Sequence, residues 1–324
     1  MTHVPTRSIL AASDLTPASD GAVRTAAAIA ERTGAALHLL HACDFAVVHD
    51  LGGGAAPSFE GHLRAAAEAL EAQAARAVPA GVEVASREVT VYAKHHAILE
   101  QADALGAELV VLGPHRGRGR VDVLWGSTAE RVVRAARVPC LVARGRMQLP
   151  FRRVVVPVDL ASPAHAAAEV ALGWCGPLGA WDGETAVAGA EVRVVHVVPR
   201  IFEGGDPPFE RAVVGPRLHP ELEEVVEAAG GAPGVHVSEE VLWGSHPAPA
   251  ITRYAREEGA ELLVVAAHGH GPVRRLLQGS VSAEVARAAH CPVLLLPPAL
   301  WRPEEAPAWS RGPGRLAEPV PAFG

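Results

Sequence analysis

Short apolar runs bounded by turn residues alternate along this chain with longer stretches of helical period. In the first half, Ser8–Ser13, Ala36–Ala42, Val82–Val89, Leu109–Gly113 and Cys140–Ala143 predict strands. Most are apolar on both faces, as strands of a parallel sheet covered by helices must be. Between them, Pro17–Thr33, His62–Val78, Ala97–Leu105 and Ser127–Ala136 carry helical spacing. Pro17 suits a first helical turn, and Gly34 and Gly106 suit helix stops. The second half predicts strands at Val154–Val158, Glu191–Val198, Val235–Val241, Leu262–Ala266 and Val293–Leu296. Pro157 removes a ladder donor from one of these, but its β-branched flanks still favour a strand. Strand and helix in alternation predict an α/β fold with right-handed crossovers.

The two halves repeat one another. Gly106–Ala143 lies over Gly259–Leu296 without a gap, at a constant offset of 153, with 15 identities in 38 positions. Gly106-Ala107-Glu108-Leu109 meets Gly259-Ala260-Glu261-Leu262, His115 meets His268, and Gly126-Ser127 meets Gly279-Ser280. Upstream, Ile9–Asp14 corresponds to Val154–Asp159, and Leu39-Leu40-His41-Ala42 to Val194-Val195-His196-Val197. The expected organisation is two tandem domains, 1–145 and 151–298, joined near Gly145–Phe151 and followed by a Pro- and Trp-containing tail, 299–324. Gly176–Ala190 and Ile201–Pro220, both rich in Gly and Pro, break the symmetry.

Composition narrows the function. Of 324 residues, 49% are hydrophobic and 20% charged, enough apolar material for two cores and too much for wholesale disorder. A net charge of −7 gives no electrostatic case for nucleic-acid binding. Cys43, Cys140, Cys175 and Cys291 follow no metal or redox spacing, so they are expected as reduced, buried thiols. The N-terminus has no signal-peptide pattern, and no stretch reaches the roughly 18 apolar residues of a membrane span. A cytoplasmic protein without membrane attachment is the expectation. Lys94 is the only lysine, which argues against a Lys-dependent phosphoryl-transfer site.

In an open parallel sheet, ligands sit beyond the carboxyl ends of the strands. Three features fall there in each half: Asp14 or Asp159 ending the first strand, the segment after the fourth strand (Gly113–Gly119 or Ala266–Gly271), and Gly126-Ser127 or Gly279-Ser280 opening the next helix. Small residues let backbone approach a phosphate, and a helix N-terminus supplies free N–H donors. The same residues also serve as ordinary caps and turn formers. Their recurrence in both halves is what points to a ligand site.

The Val-Pro-Val-Asp type of first strand, the apolar-His end of the second, Gly-Ala-Glu-Leu before the fourth and the Gly-Ser-x-x-x-x-Val helix followed by x-Pro-x-Leu resemble the universal stress protein family, twice over and across nearly the whole chain. The resemblance implies two Rossmann-like (flavodoxin-like) domains, each a five-stranded parallel sheet flanked by helices, pairing through their last strands within one chain. It also implies association of two chains into a homodimer. Some family members bind ATP, with Gly-x-x-Gly, nine residues, then Gly-Ser/Thr. Here Arg116 replaces the second glycine in the first half, and Ala266 replaces the first glycine in the second. A methyl at Ala266 is tolerable at negative φ, whereas a long side chain at Arg116 is a larger departure, unless its guanidinium clasps the phosphate.

By resemblance, Asp159 and Val197 would hold ribose and adenine, and Gly269, Gly279 and Ser280 the phosphates, with Ala266 beside them and Mg2+ accompanying the triphosphate. The matching first-half set is Asp14, Ala42, Gly113, Gly126, Ser127 and Thr128. The leading expectation is a non-catalytic ATP-binding module of stress response, its second-domain site the better preserved. One alternative is a nucleotide-free scaffold of the same fold that acts on a protein partner. The other is a slow ATPase using His268 or His270 as base. No metal site is expected, since His95-His96 and His268-x-His270 lack a defined third ligand.

Overall fold

The computed structural model describes residues 7–43, 59–113, 115–116, 123–124, 127–144, 147, 149–160, 164–175, 189–199, 207–231, 234–266, 281–297 and 300. Its strands, in chain order, are β1 (Ser8–Ser13), β2 (Ala36–Cys43), β3 (Val84–Val91), β4 (Leu109–Leu112), β5 (His115–Arg116), β6 (Val123–Leu124), β7 (Cys140–Val142), β8 (Arg153–Val158), β9 (Ala190–Pro199), β10 (Val235–Gly244), β11 (Leu262–Ala266) and β12 (Val293–Leu296). The helices are α1 (Asp20–Thr33), α2 (Phe59–Ala77), α3 (Lys94–Ala104), α4 (Ser127–Ala135), α5 (Ala164–Cys175), α6 (Pro207–Ala229), α7 (Pro247–Glu257) and α8 (Val281–Ala288).

Ten strands form one sheet in the order β10-β9-β8-β11-β12-β7-β4-β1-β2-β3. Each half contributes five parallel strands in the same winding, so the tandem α/β architecture expected from the repeat is present. The halves meet through their last strands, β7 and β12, which pair antiparallel with Leu141 opposite Leu294. One apolar layer joins α1, α2 and α5 to the sheet; the other joins α3, α4, α7 and α8. Both layers run across the seam, because Leu141 and Leu294 belong to the first, and Cys140, Val142, Val293 and Leu295 to the second. The connection between halves is anchored by Phe151, which is fully buried in the first layer. All four cysteines are free and buried, and burial pushes the Cys140, Cys175 and Cys291 thiols up to about 12.

Three local features depart from the sequence pattern. Helix α1 begins at Asp20 and not Pro17, because Thr16–Ser19 forms a turn closed by Ser19 N–H donating to the Thr16 carbonyl (3.0 Å). Pro157 does sit in a strand, but the β8–β11 ladder stops at Val155 while the β8–β9 ladder continues to Val158. The homologous β1–β4 ladder runs four pairs, to Ala12. A residue without an N–H shortens the ladder on one side. Within the Gly- and Pro-rich stretch, α6 runs from Pro207 past Pro216 and Pro220, and is held to the sheet by fully buried Leu222 and Val225. The acidic residues Glu221, Glu223, Glu224 and Glu227 occupy its exposed side.

Leu141 and Leu294 are each 0% exposed at the seam. Leu294→Ala is expected to lose about 2–5 kcal/mol, the usual cost of emptying a leucine site in a packed core. Because the layers are continuous, urea unfolding should remain one transition; a mutation that moved only one of two separate transitions would disprove a shared core.

Candidate functional site

In each half the first, second and fourth strands are neighbours, β2-β1-β4 and β9-β8-β11, so Asp14, Ala42 and Gly113, and likewise Asp159, Val197 and Ala266, fall at one end of their half of the sheet. Asp14 and Asp159 directly follow β1 and β8 and are exposed. Ala42 and Val197 lie buried near the ends of β2 and β9. Gly113 follows β4, and Ala266 ends β11. Ser127 and Thr128 open α4. Gly126, Gly269, Gly279 and Ser280, with His268 and His270, lie outside the described residues.

The strand ends are held in the same way in both halves. His41 Nδ1–H donates to the Ser13 carbonyl and His196 Nδ1–H to the Val158 carbonyl, each at 2.9 Å. A carbonyl can only accept, so Nδ1 carries a proton in both rings. Burial depresses the His41 pKa, aided by Lys94 and His62 and opposed by the Ser13 carbonyl and Asp14. These bonds clamp the end of the second strand to the end of the first, immediately before the aspartate.

Directly after each aspartate the backbone turns left-handed at a leucine, Leu15 (φ 62°) and Leu160 (φ 52°). A non-glycine residue there costs on the order of 1–2 kcal/mol. The recurrence of Asp-Leu in both halves was the visible signal for this turn, but leucine gives no local hint of positive φ.

Around these strand ends the halves differ. In the first, Asp14 Oδ1 accepts from Thr16 N–H (3.0 Å) and Thr16 Oγ1 (2.6 Å). Behind it lies a buried polar network. Ser13 Oγ donates to Gln73 Oε1 (2.5 Å) and accepts from Leu15 N–H (2.9 Å). Gln73 Nε2 donates to Ser19 Oγ (3.0 Å) and Asp20 Oδ1 (2.7 Å). Arg76 closes the network with two bonds of 2.9 Å to the Asp20 carboxylate. In the second half Val158 replaces Ser13, and the corresponding space is apolar, filled by Leu222 and Val225 with Val158 and Leu160 packed against them. Among the described residues Asp159 has no hydrogen-bond or ion-pair partner.

The glycine positions also differ. A Cβ on Gly113 would lie 3.3 Å from Ser19 Cα, tighter than most real contacts, so the first half leaves little room for a side chain beside α1. Gly113 is not at positive φ, so alanine at the matching Ala266 imposes no backbone strain of its own kind. Arg116 lies in a short antiparallel ribbon, with His115 opposite Leu124 and Arg116 opposite Val123. That ribbon was not evident from the sequence. It puts Arg116 in extended backbone, where arginine needs no glycine conformation. His95 and His96 stack on each other with ring centroids 4.2 Å apart, and Tyr92 approaches His96 at 5.9 Å. Among the described residues no group of three His, Cys, Asp or Glu side chains is placed to hold a metal.

Comparison with known proteins agrees with this architecture. The universal stress protein family model matches residues 5–144 and again 150–297. The chain belongs to the universal stress protein family. It is similar to a universal stress protein of Thermus aquaticus, 33% identical over 147 residues, covering 45% of this chain and 98% of the relative. A Synechocystis universal stress protein is 29% identical over 169 residues, 52% of this chain and 50% of that protein. In fold it resembles the crystal structure of a universal stress protein from Archaeoglobus fulgidus, with TM-score 0.57 and 20% identity, over 90% of this chain and 98% of the other. No helix among the described residues is long and apolar enough to cross a membrane.

The Asp20 carboxyl makes a testable element of the first half. Burial alone would raise its pKa, but hydrogen bonds from Arg76 and Gln73 and the charges of Arg76 and Arg24 together hold it below its ordinary 3.8. A depressed carboxylate pKa contributes stability above the unfolded value that is lost as pH falls through the folded one. Asp20→Asn should therefore be less stable than the parent at neutral pH by an amount that is constant above about pH 5 and shrinks below about pH 4. Urea midpoints across that range check it; a gap that widened in acid would contradict the assignment.

Proposed function

We propose that this universal stress protein is a cytoplasmic, non-catalytic adenine-nucleotide-binding module whose second half holds ATP. The observation that carries the reading is the contrast between the two aspartates. The Asp14 carboxylate is occupied by Thr16, whereas Asp159 is exposed with no partner among the described residues. Ala161 stands two residues after Asp159, where Thr16 follows Asp14.

The donor set fits an adenylate. A carboxylate accepts from ribose hydroxyls, and by the family resemblance Val197, near the end of β9, would hold adenine. Gly269, Gly279 and Ser280 supply the sequence pattern of a phosphate cradle at the start of α8, with Ala266 at the strand end before it. Magnesium would accompany the triphosphate. Binding then acts through contacts: between the paired halves, between two chains in a homodimer, or with a protein partner. The nucleotide-free scaffold is the rival that fails the same experiment in the opposite direction.

The test is to denature the purified protein, identify released nucleotide by mass spectrometry, and titrate ATP with magnesium. Gly279→Val is expected to abolish binding. Asp159→Ala should weaken it by roughly 10- to 100-fold, the range for losing a charge-assisted hydrogen bond. Asp14→Ala should leave this affinity unchanged. No released nucleotide and no titration would replace the module with the scaffold.

A further inference from the structure

Arg144 follows β7 by two residues, and Ala143 N–H still donates to the Leu112 carbonyl (2.9 Å) one residue before it. Its backbone is thus carried to the carboxyl end of the first half's sheet, beside the Gly113 end of β4 and across from the strand that enters from the other half. The side chain is only 8% exposed, yet Nε and Nη2 have no hydrogen-bond partner among the described residues. A guanidinium stays charged and offers five donors in a planar fork. Burying such a charge without a partner is strongly unfavourable. Burial also pulls its pKa down. The buried carboxylate of the same half, Asp20, is by contrast met by three donated bonds.

We propose that the buried Arg144 guanidinium is an anion site of the first half and takes a phosphate group. Three observations converge. The backbone of Arg144 leaves β7 at the carboxyl end of a parallel sheet, the end at which ligands of such sheets sit. Nε and Nη2 are buried and unspent, so an oxyanion would be held by charge-assisted, bidentate bonds in a low-dielectric setting. The second half has no counterpart, since Pro297 occupies the matching position after β12. The site extends phosphate recognition to the half where Asp14 is already occupied by Thr16, and it does not depend on the second half binding ATP. Either inorganic phosphate or the phosphate of a nucleotide supplies the required chemistry.

The experiment uses the full chain carrying Gly279→Val, which silences the second half, with thermal unfolding and calorimetry in inorganic phosphate, in ATP, and in neither. Phosphate is expected to raise the melting temperature of this parent. Adding Arg144→Met should raise the melting temperature without ligand, by removing a buried unpaired charge, and cancel the phosphate shift. Arg144→Lys, which keeps the charge but not the fork, should bind about tenfold more weakly. A shift with ATP alone, lost in Arg144→Met, assigns the phosphate to a nucleotide; a shift with inorganic phosphate assigns it to the free ion. No shift in the parent with either ligand overturns the proposal, as does a shift that survives Arg144→Met. Should Arg144→Met fail to fold, Arg144→Lys titrating like the parent overturns it equally. Failure here leaves ATP binding by the chain with Gly279 intact to be judged on its own titration.

Discussion

The antiparallel pairing of β7 with β12 is the contact on which the rest of this molecule depends. Each half by itself would end in a strand of three or four residues with one row of backbone donors and acceptors unpaired. Such an edge is an aggregation hazard, and apolar residues such as Leu141, Val142, Leu294 and Leu295 would make it worse. Pairing satisfies both edges at once and lets the two apolar layers cross from one half to the other. The outermost strands become β3 and β10, whose side chains are largely half-buried or exposed.

The same contact fixes where function can lie. Within the ten-stranded sheet the neighbouring strands of each half are parallel, and the antiparallel step from β7 to β12 reverses direction. The carboxyl ends of the two half-sheets therefore face opposite ways. The residues at one half's strand ends are thus under no constraint to match those of the other. The divergence of the halves follows this logic. A hydrogen-bonded lining around Gln73 in one corresponds to an apolar lining around Leu222 and Val225 in the other, and Arg144 corresponds to Pro297.

Most of the architecture was legible in the order of residues because its physics is local. Strands buried on both faces read as apolar runs, Gly34 closes α1 at φ 72° as a helix stop should, and the repeat announced two copies of one unit. The site was legible only as places on the chain. Gln73 reads as a surface residue of an amphipathic helix, yet it is 0% exposed, because its partners Ser13, Ser19 and Asp20 lie more than fifty residues away. Arg144 reads as the charged, solvated end of a strand, yet it is buried. The β5–β6 ribbon is two pairs long, too short to leave a periodic signal amid glycine and arginine.

The strained leucines show which property the two halves share beneath these differences. Leu15 is supported by a hydrogen bond from its N–H to Ser13 Oγ, a support that Val158 cannot give Leu160. Leu160 instead packs against the apolar cluster of α6. Two unlike environments thus stabilise the same left-handed turn, each against a cost of about 1–2 kcal/mol. If the turn were an accident of packing, replacing a polar lining by an apolar one would have been an occasion to lose it. Its presence in both places, directly after the aspartate and above the same histidine-to-carbonyl bond, means that the direction of the chain leaving Asp14 and Asp159 is what both linings are built to hold. The side chains around the turn are then free to differ, and with them whatever each half binds.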